Sequence, residues 1–274
     1  MALTNIFESR VLDLIAHSLN SNEAKSNVAF VYIANLPNCK QSIPLFWECL
    51  SPKEKIQAKQ YYTQDLSDRY VISHGVLRYI LSYYTHQLPQ DIEFIHNEYG
   101  KPFLKNNNIQ FNMSHSNNMV SYIISLNYRV GIDIELHDST IDIHGLSDLV
   151  FTPKEHEFIT KLDTKNTKNT KNTKKKLELF YNLWTTKESL IKASGQRLSY
   201  PINAIEAMVL SPGEKIFLGY EDNKCKQEWY YFPLEITKGY SGAVAIEHKI
   251  NQIIYLEMNN QKNVFNNVRS KCFN

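Results

Sequence analysis

An α+β fold is what this sequence predicts, on three observations. Short apolar runs, β-branched or strictly alternating, recur along the chain and read as strands, among them Val28 to Ala34, Met119 to Ser125 and Val130 to Glu135. Two helix starts share one wording, Ser51-Pro52-Lys53-Glu54 and Thr152-Pro153-Lys154-Glu155, so strand and helix order in the first part is echoed in the second. Leu183, Trp184, Leu190 and Ile191 then repeat at 3.6-residue spacing and define a further helix.

A length of 274 residues allows one large domain or two modest ones. Residues 1–27 form a first unit: Leu3 to Leu19 is interrupted by Glu8, Arg10 and Asp13, the pattern of an amphipathic helical extension and not of a secretion signal. Residues 28–129 form the next. After the strand Val28 to Ala34, Ser51 supplies an N-cap, Pro52 the first turn and Glu54 the acid of a helix that presents Lys53, Lys55 and Lys59 before Tyr61 and Tyr62. A longer helix runs from Ser67-Asp68-Arg69-Tyr70 through Tyr84 and closes at Leu88-Pro89. Ile92 to Ile95 reads as a short strand, and Tyr99-Gly100-Lys101-Pro102 as a tight turn. Phe111 to Ser116 ends a strand in small polar side chains and His115. Asn127-Tyr128-Arg129 turns the chain into the next strand.

Residues 130–258 form the third unit. Leu146 to Phe151 reads as a helix, and Thr152 starts another. Within 161–176 the Thr-Lys-Asn repeat has no apolar residue to bury, so a mobile basic loop is expected there. Beyond Gly195, the segments Ala204 to Leu210, Lys215 to Tyr220, Glu228 to Leu234 and Ala243 to Glu247 read as antiparallel strands. Residues 259–274, rich in asparagine, are expected to be a fraying tail.

The chemistry gathers in two of these stretches. In Val130-Gly131-Ile132-Asp133-Ile134-Glu135, strand alternation puts Ile132 and Ile134 on one face and Asp133 and Glu135 on the other. On the later helix Glu188 and Lys192 stand one turn apart. Taken separately, each reads as a solvated face. Taken together, Asp133, Glu135 and Glu188 are three hard oxygen donors of the kind that hold Mg²⁺, with Lys192 beside them for a phosphate oxygen.

The chain resembles the 4′-phosphopantetheinyl transferases of the surfactin-synthetase-activating type. The resemblance rests on Gly131-Ile132-Asp133-Ile134-Glu135 and Trp184-Thr185-Thr186-Lys187-Glu188-Ser189-Leu190-Ile191-Lys192. Further matches are Glu98-Tyr99-Gly100-Lys101-Pro102, Phe111-Asn112-Met113-Ser114-His115-Ser116 and Gly239-Tyr240-Ser241-Gly242-Ala243-Val244-Ala245, in order across residues 51 to 246. It implies a pseudo-twofold arrangement of two similar α/β halves with the active site between them. It also implies Mg²⁺ on Asp133, Glu135 and Glu188, and catalytic roles for Glu188, Lys192 and His115. Coenzyme A, the substrate, would touch Arg69, Gly100, Lys101, Pro102, Ser114, His115, Asp133 and Lys192, with Ser116 adding a further hydrogen bond. At Gln57, where relatives often carry a basic residue, this chain has an amide, for which Lys53, Lys55 or Lys59 could substitute. The partner would be an apo acyl or peptidyl carrier protein and the enzyme a monomer.

Other classes fare worse. A formal net charge of +2 from 30 basic and 28 acidic residues does not mark a nucleic-acid binder. No apolar stretch is long enough for a membrane helix, and Cys39, Cys49, Cys225 and Cys272 lack metal spacing, so a cytoplasmic enzyme with reduced thiols is expected. Two rivals stay open: a module that binds coenzyme A or carrier proteins without chemistry, and a metal-dependent nuclease using Asp133, Glu135, Glu188 and Lys192.

Overall fold

The computed structural model describes residues 27–162, 170–196, 200–208, 211–218, 227–259 and 264–273. The expected N-terminal helix at residues 3–19 lies outside them.

Two sheets pack face to face, with helices on their outer sides. Strands β1 (Val28–Asn35), β4 (Gln110–Ser116), β5 (Met119–Ser125), β10 (Gln252–Asn259) and β11 (Val264–Cys272) form a five-stranded sheet in the order β11-β10-β1-β5-β4. Strands β6 (Val130–Leu136), β7 (Lys215–Leu218), β8 (Gln227–Pro233) and β9 (Tyr240–Ile246) form a second in the order β6-β9-β8-β7. β2 (Phe94–His96) and β3 (Pro102–Leu104) make a separate hairpin. Helices α1 (Ile43–Cys49), α2 (Pro52–Lys59) and α3 (Gln64–Thr85) belong to the first half, and α4 (Ile143–Val150), α5 (Pro153–Lys161) and α6 (Thr170–Ser194) to the second.

β1 reads as a continuous apolar run because both its faces are covered. Phe30, Tyr32 and Ala34 join the core under α1 and α3, whereas Ala29, Val31 and Ile33 meet Ile132, Ile134, Val244 and Ile246 between the sheets. A third core lies beneath α6, around Leu183, Leu190, Ile191 and Trp229.

The echoed helix starts are a duplicated device. Ser51 with Glu54, and Thr152 with Glu155, both form reciprocal capping boxes. In each half a buried cation from the long helix then reaches the capping glutamate: Arg78 of α3 bonds Glu54 and the carbonyls of Pro89 and Ile92, and Lys187 of α6 bonds Glu155 at 2.6 Å and the carbonyls of Val150 and Ile202.

Three segments depart from expectation. Residues 264–272 are not a tail but β11, antiparallel to β10, which itself runs parallel to β1. Phe265 is fully buried, and Arg269 and Lys271 pair with Glu235 and Glu257. Residues 204–208 form no strand; a short 3₁₀ turn at Ile202–Ala204 is followed by irregular chain. Of the expected basic loop, residues 170–176 are the first turns of α6, and residues 163–169 lie outside the described chain. Among the described residues no helix is long and apolar enough to cross a membrane.

Candidate active site

β6 and α6 supply the acids, and Gly131 explains how closely they meet. A Cβ at Gly131 would stand 2.0 Å from the Ser189 carbonyl oxygen and 2.4 Å from the Ala193 nitrogen, so only glycine lets α6 lie against β6 here. Along β6 the next residues on that face are Asp133 and Glu135. They share a cavity of about 380 Å³ with Met113, Ser114, His115, Trp184, Glu188 and Lys192.

β4 holds β6 in place through side chains. Asn112, Ser114 and Ser116 alternate along β4, and their oxygens accept the backbone N–H groups of Ile132, Ile134 and Leu136. The two serine hydroxyls donate onward, Ser114 to Asp133 Oδ1 at 2.9 Å and Ser116 to Glu135 Oε2 at 2.7 Å. Both serines, expected as phosphate donors, thus orient the carboxylates. Asn112 was missed, although it stands in the same alternation.

The acids crowd one another. Asp133 is 3% exposed, and its Oδ1 takes the Lys192 ammonium at 2.6 Å while its Oδ2 is buried without a partner. Glu188 is 4% exposed with Oε1 in the same condition. Burial, and then the neighbouring Asp133 charge, push the Glu188 pKa up to about 7. Burial likewise raises Asp133 and Glu135, the latter countered by hydrogen bonds from Ser116 and the Trp184 indole. Lys192 is the one ammonium among the lining residues.

Such a set fits a divalent cation: hard oxygen donors in mutual repulsion, with two buried oxygens uncompensated. Among the described residues no three His, Cys, Asp or Glu side chains stand close enough together to hold a metal ion. Lys192 and the two serines hold the carboxylates instead.

His115 lines this cavity and a smaller one of about 170 Å³ that also contains Arg69, Tyr70 and His74. Desolvation, then the Lys192 and Arg69 charges, hold His115 below its ordinary pKa, so at neutral pH it is a neutral donor. Arg69 is engaged: it bonds Asp65, the Asn117 carbonyl and Asn118 Oδ1, tying α3 to the β4–β5 turn.

A cleft of about 1060 Å³ opens beside the small cavity, lined by Lys53, Gln57, Tyr70, His74, His96, Phe94 and Pro102 among others. Lys55 and Lys59 instead sit over the Trp47 ring. Lys101 departs most from expectation. Its ammonium points away from the cleft and donates to the carbonyls of Lys192 at 2.7 Å, Ala193 at 3.0 Å and Val130 at 3.0 Å. Burial pulls its pKa down to about 7, but the three carbonyl acceptors, two of them at the negative end of α6 and one at the start of β6, all call for the protonated form.

Comparison with known sequences gives one consistent result. A sequence model described as the 4′-phosphopantetheinyl transferase superfamily matches residues 129–245, and one described as 4′-phosphopantetheinyl transferase, N-terminal, matches residues 37–125. The chain is 35% identical over 190 residues to the 4′-phosphopantetheinyl transferase gsp of Aneurinibacillus migulanus, covering 69% of this chain and 73% of that one. It is 30% identical over 169 residues to the 4′-phosphopantetheinyl transferase HetI of a Nostoc species, covering 60% and 67%. To the 4′-phosphopantetheinyl transferase Sfp of Bacillus subtilis it is 26% identical over 205 residues, covering 74% and 84%.

Proposed function

The chain belongs to the 4′-phosphopantetheinyl transferase superfamily, and from that premise we propose that it moves 4′-phosphopantetheine from coenzyme A to a serine of an apo acyl or peptidyl carrier protein, with Mg²⁺ as cofactor. One observation carries the reading: three carboxylates and one ammonium line a single cavity in which two carboxylate oxygens are buried without partners. The enzyme acts as a cytoplasmic monomer.

The reaction is attack by the serine oxygen on the β-phosphorus of the coenzyme A pyrophosphate. The bond from that phosphorus to the bridging oxygen breaks, and 3′,5′-adenosine bisphosphate leaves. Asp133, Glu135 and Glu188 would hold Mg²⁺, which when bound neutralises charge on the pyrophosphate. Lys192 and neutral His115 donate to the phosphate oxygens on which charge builds. Glu188 takes the serine proton, directly or through a water. The large cleft, lined by Pro102 and Lys53 among others, takes the nucleotide end, and Arg69, in the adjoining smaller cavity, lies on the side of its 3′-phosphate.

An intact mass spectrum of an apo carrier after incubation with enzyme, coenzyme A and Mg²⁺ tests this directly. A gain of one phosphopantetheine group, abolished by EDTA, is expected. Coenzyme A binding with no gain on several unrelated carriers would leave a binding module, and metal-dependent plasmid cleavage would point to the nuclease.

A further inference from the structure

The turn between β2 and β3 ends a helix that belongs to the other half. Asn97 folds this turn by accepting the backbone N–H groups of Tyr99 at 3.1 Å and Lys101 at 2.8 Å, while its amide donates to the Gly195 carbonyl at 2.8 Å. Gly100 makes the turn possible with φ of 88°. Lys101 then delivers its ammonium to the carbonyls of Lys192 and Ala193, and to Val130 at the start of β6. The last carbonyls of a helix have no partners within it. Here Asn97 and Lys101 supply them from a segment about a hundred positions earlier in the chain.

These contacts converge on the parts that do the chemistry. The acceptor at 2.7 Å is the carbonyl of Lys192 itself, whose ammonium bonds Asp133 at 2.6 Å and Ser114 at 3.1 Å. The Val130 carbonyl opens the strand that bears Asp133 and Glu135. Pro102 and His96, flanking the same turn, line the large cleft. We propose that Lys101 and Asn97 are positioning residues: they lock the end of α6 against β6, so that Lys192 and Glu188 stand at fixed reach of Asp133, and Lys101 makes no contact with coenzyme A. This rests on the transferase reading given above.

The test separates turnover from binding in Lys101→Met, measured well below its melting temperature. We expect kcat for carrier modification to fall about 10-fold or more, with the coenzyme A Kd, read by calorimetry, changed less than about threefold. Faster amide exchange confined to residues 190–196 accompanies the loss. Should that variant not fold, Asn97→Ala removes the three hydrogen bonds of a partly exposed side chain, and kcat falls about threefold or more at unchanged Kd. A coenzyme A Kd raised about tenfold with kcat preserved would overturn the proposal, showing Lys101 on the substrate; so would two unchanged constants. Wild-type enzyme that transfers nothing to any carrier refutes the transferase reading itself, whereas an active wild type with a fully active Lys101→Met refutes only the positioning role.

Discussion

Glu188 combines burial, the Asp133 charge and an Oε1 without a partner, and these make its ionisation unfavourable without a cation. Its folded pKa of about 7 exceeds the ordinary 4.5, so across that window the folded state keeps a proton the unfolded state has lost. Stability of metal-free protein therefore declines as pH rises from the ordinary value to the folded one, by up to about 1.4 kcal/mol per unit from this residue, and levels off above. Mg²⁺ selects the ionised form, so the melting-temperature gain it gives should grow with pH across the same window. Glu188→Gln should flatten the metal-free decline relative to wild type; an identical slope in both would refute the assignment. In transfer assays Glu188→Gln and Asp133→Ala should abolish activity, by about 10³-fold or more, and Lys192→Ala should lower it by about 10² to 10³. Wild-type rates in any of the three would break the constellation. Strand period made Asp133 and Glu135 legible as one pair and helix period Glu188 and Lys192 as another, and the family resemblance joined the two. The place of Lys101 was not legible, because its partners are backbone carbonyls, which no side-chain pattern announces.

The element that the site depends on most is the pairing of β6 with α6. Gly131 stands in the chain as one residue of an alternating strand, and nothing local tells that Ser189 and Ala193 lie against it. A methyl there meets backbone atoms at 2.0 and 2.4 Å, which no rotamer change can relieve, so α6 must shift as a body. Gly131→Ala should cost about 3–5 kcal/mol, lowering the melting temperature by about 10 °C, and should remove most transfer activity even where folded protein is recovered. A variant with wild-type melting temperature and rate would show that α6 is free to move outward. β1, the long helices and the two capped starts were readable because each is specified by its own residues. Residues 204–208 misled because a mixed apolar stretch has the composition of a strand, yet it follows a 3₁₀ turn as irregular chain.

Across the whole molecule, the division between halves is not where chain order puts it. β10 and β11 come last, yet they extend the first sheet, and β10 pairs with β1 in parallel. Asparagine-rich composition concealed this, because the buried Phe265 sits among polar neighbours and the register slips between Glu257 and Met258. Both sheets also share one apolar layer, in which Ile253 and Tyr255 lie with Val31, Ile132 and Val244. Every candidate catalytic, metal and coenzyme A residue lies between Lys53 and Lys192, so a site-only account would let the end of the chain be removed without harm. Physical bookkeeping opposes that. Ile253, Ile254, Tyr255, Leu256 and Phe265 are all buried. At about 1.5–3 kcal/mol each, their loss is on the order of 10 kcal/mol, comparable with the whole net stability of about 5–15 kcal/mol for a domain. Deleting residues 252–274 should therefore abolish the cooperative melting transition and coenzyme A binding together, although no site residue is touched. Calorimetry of the truncated chain decides it: a sharp transition with coenzyme A binding intact would mean that β1 tolerates an open edge and that the two halves are independent of the final hairpin.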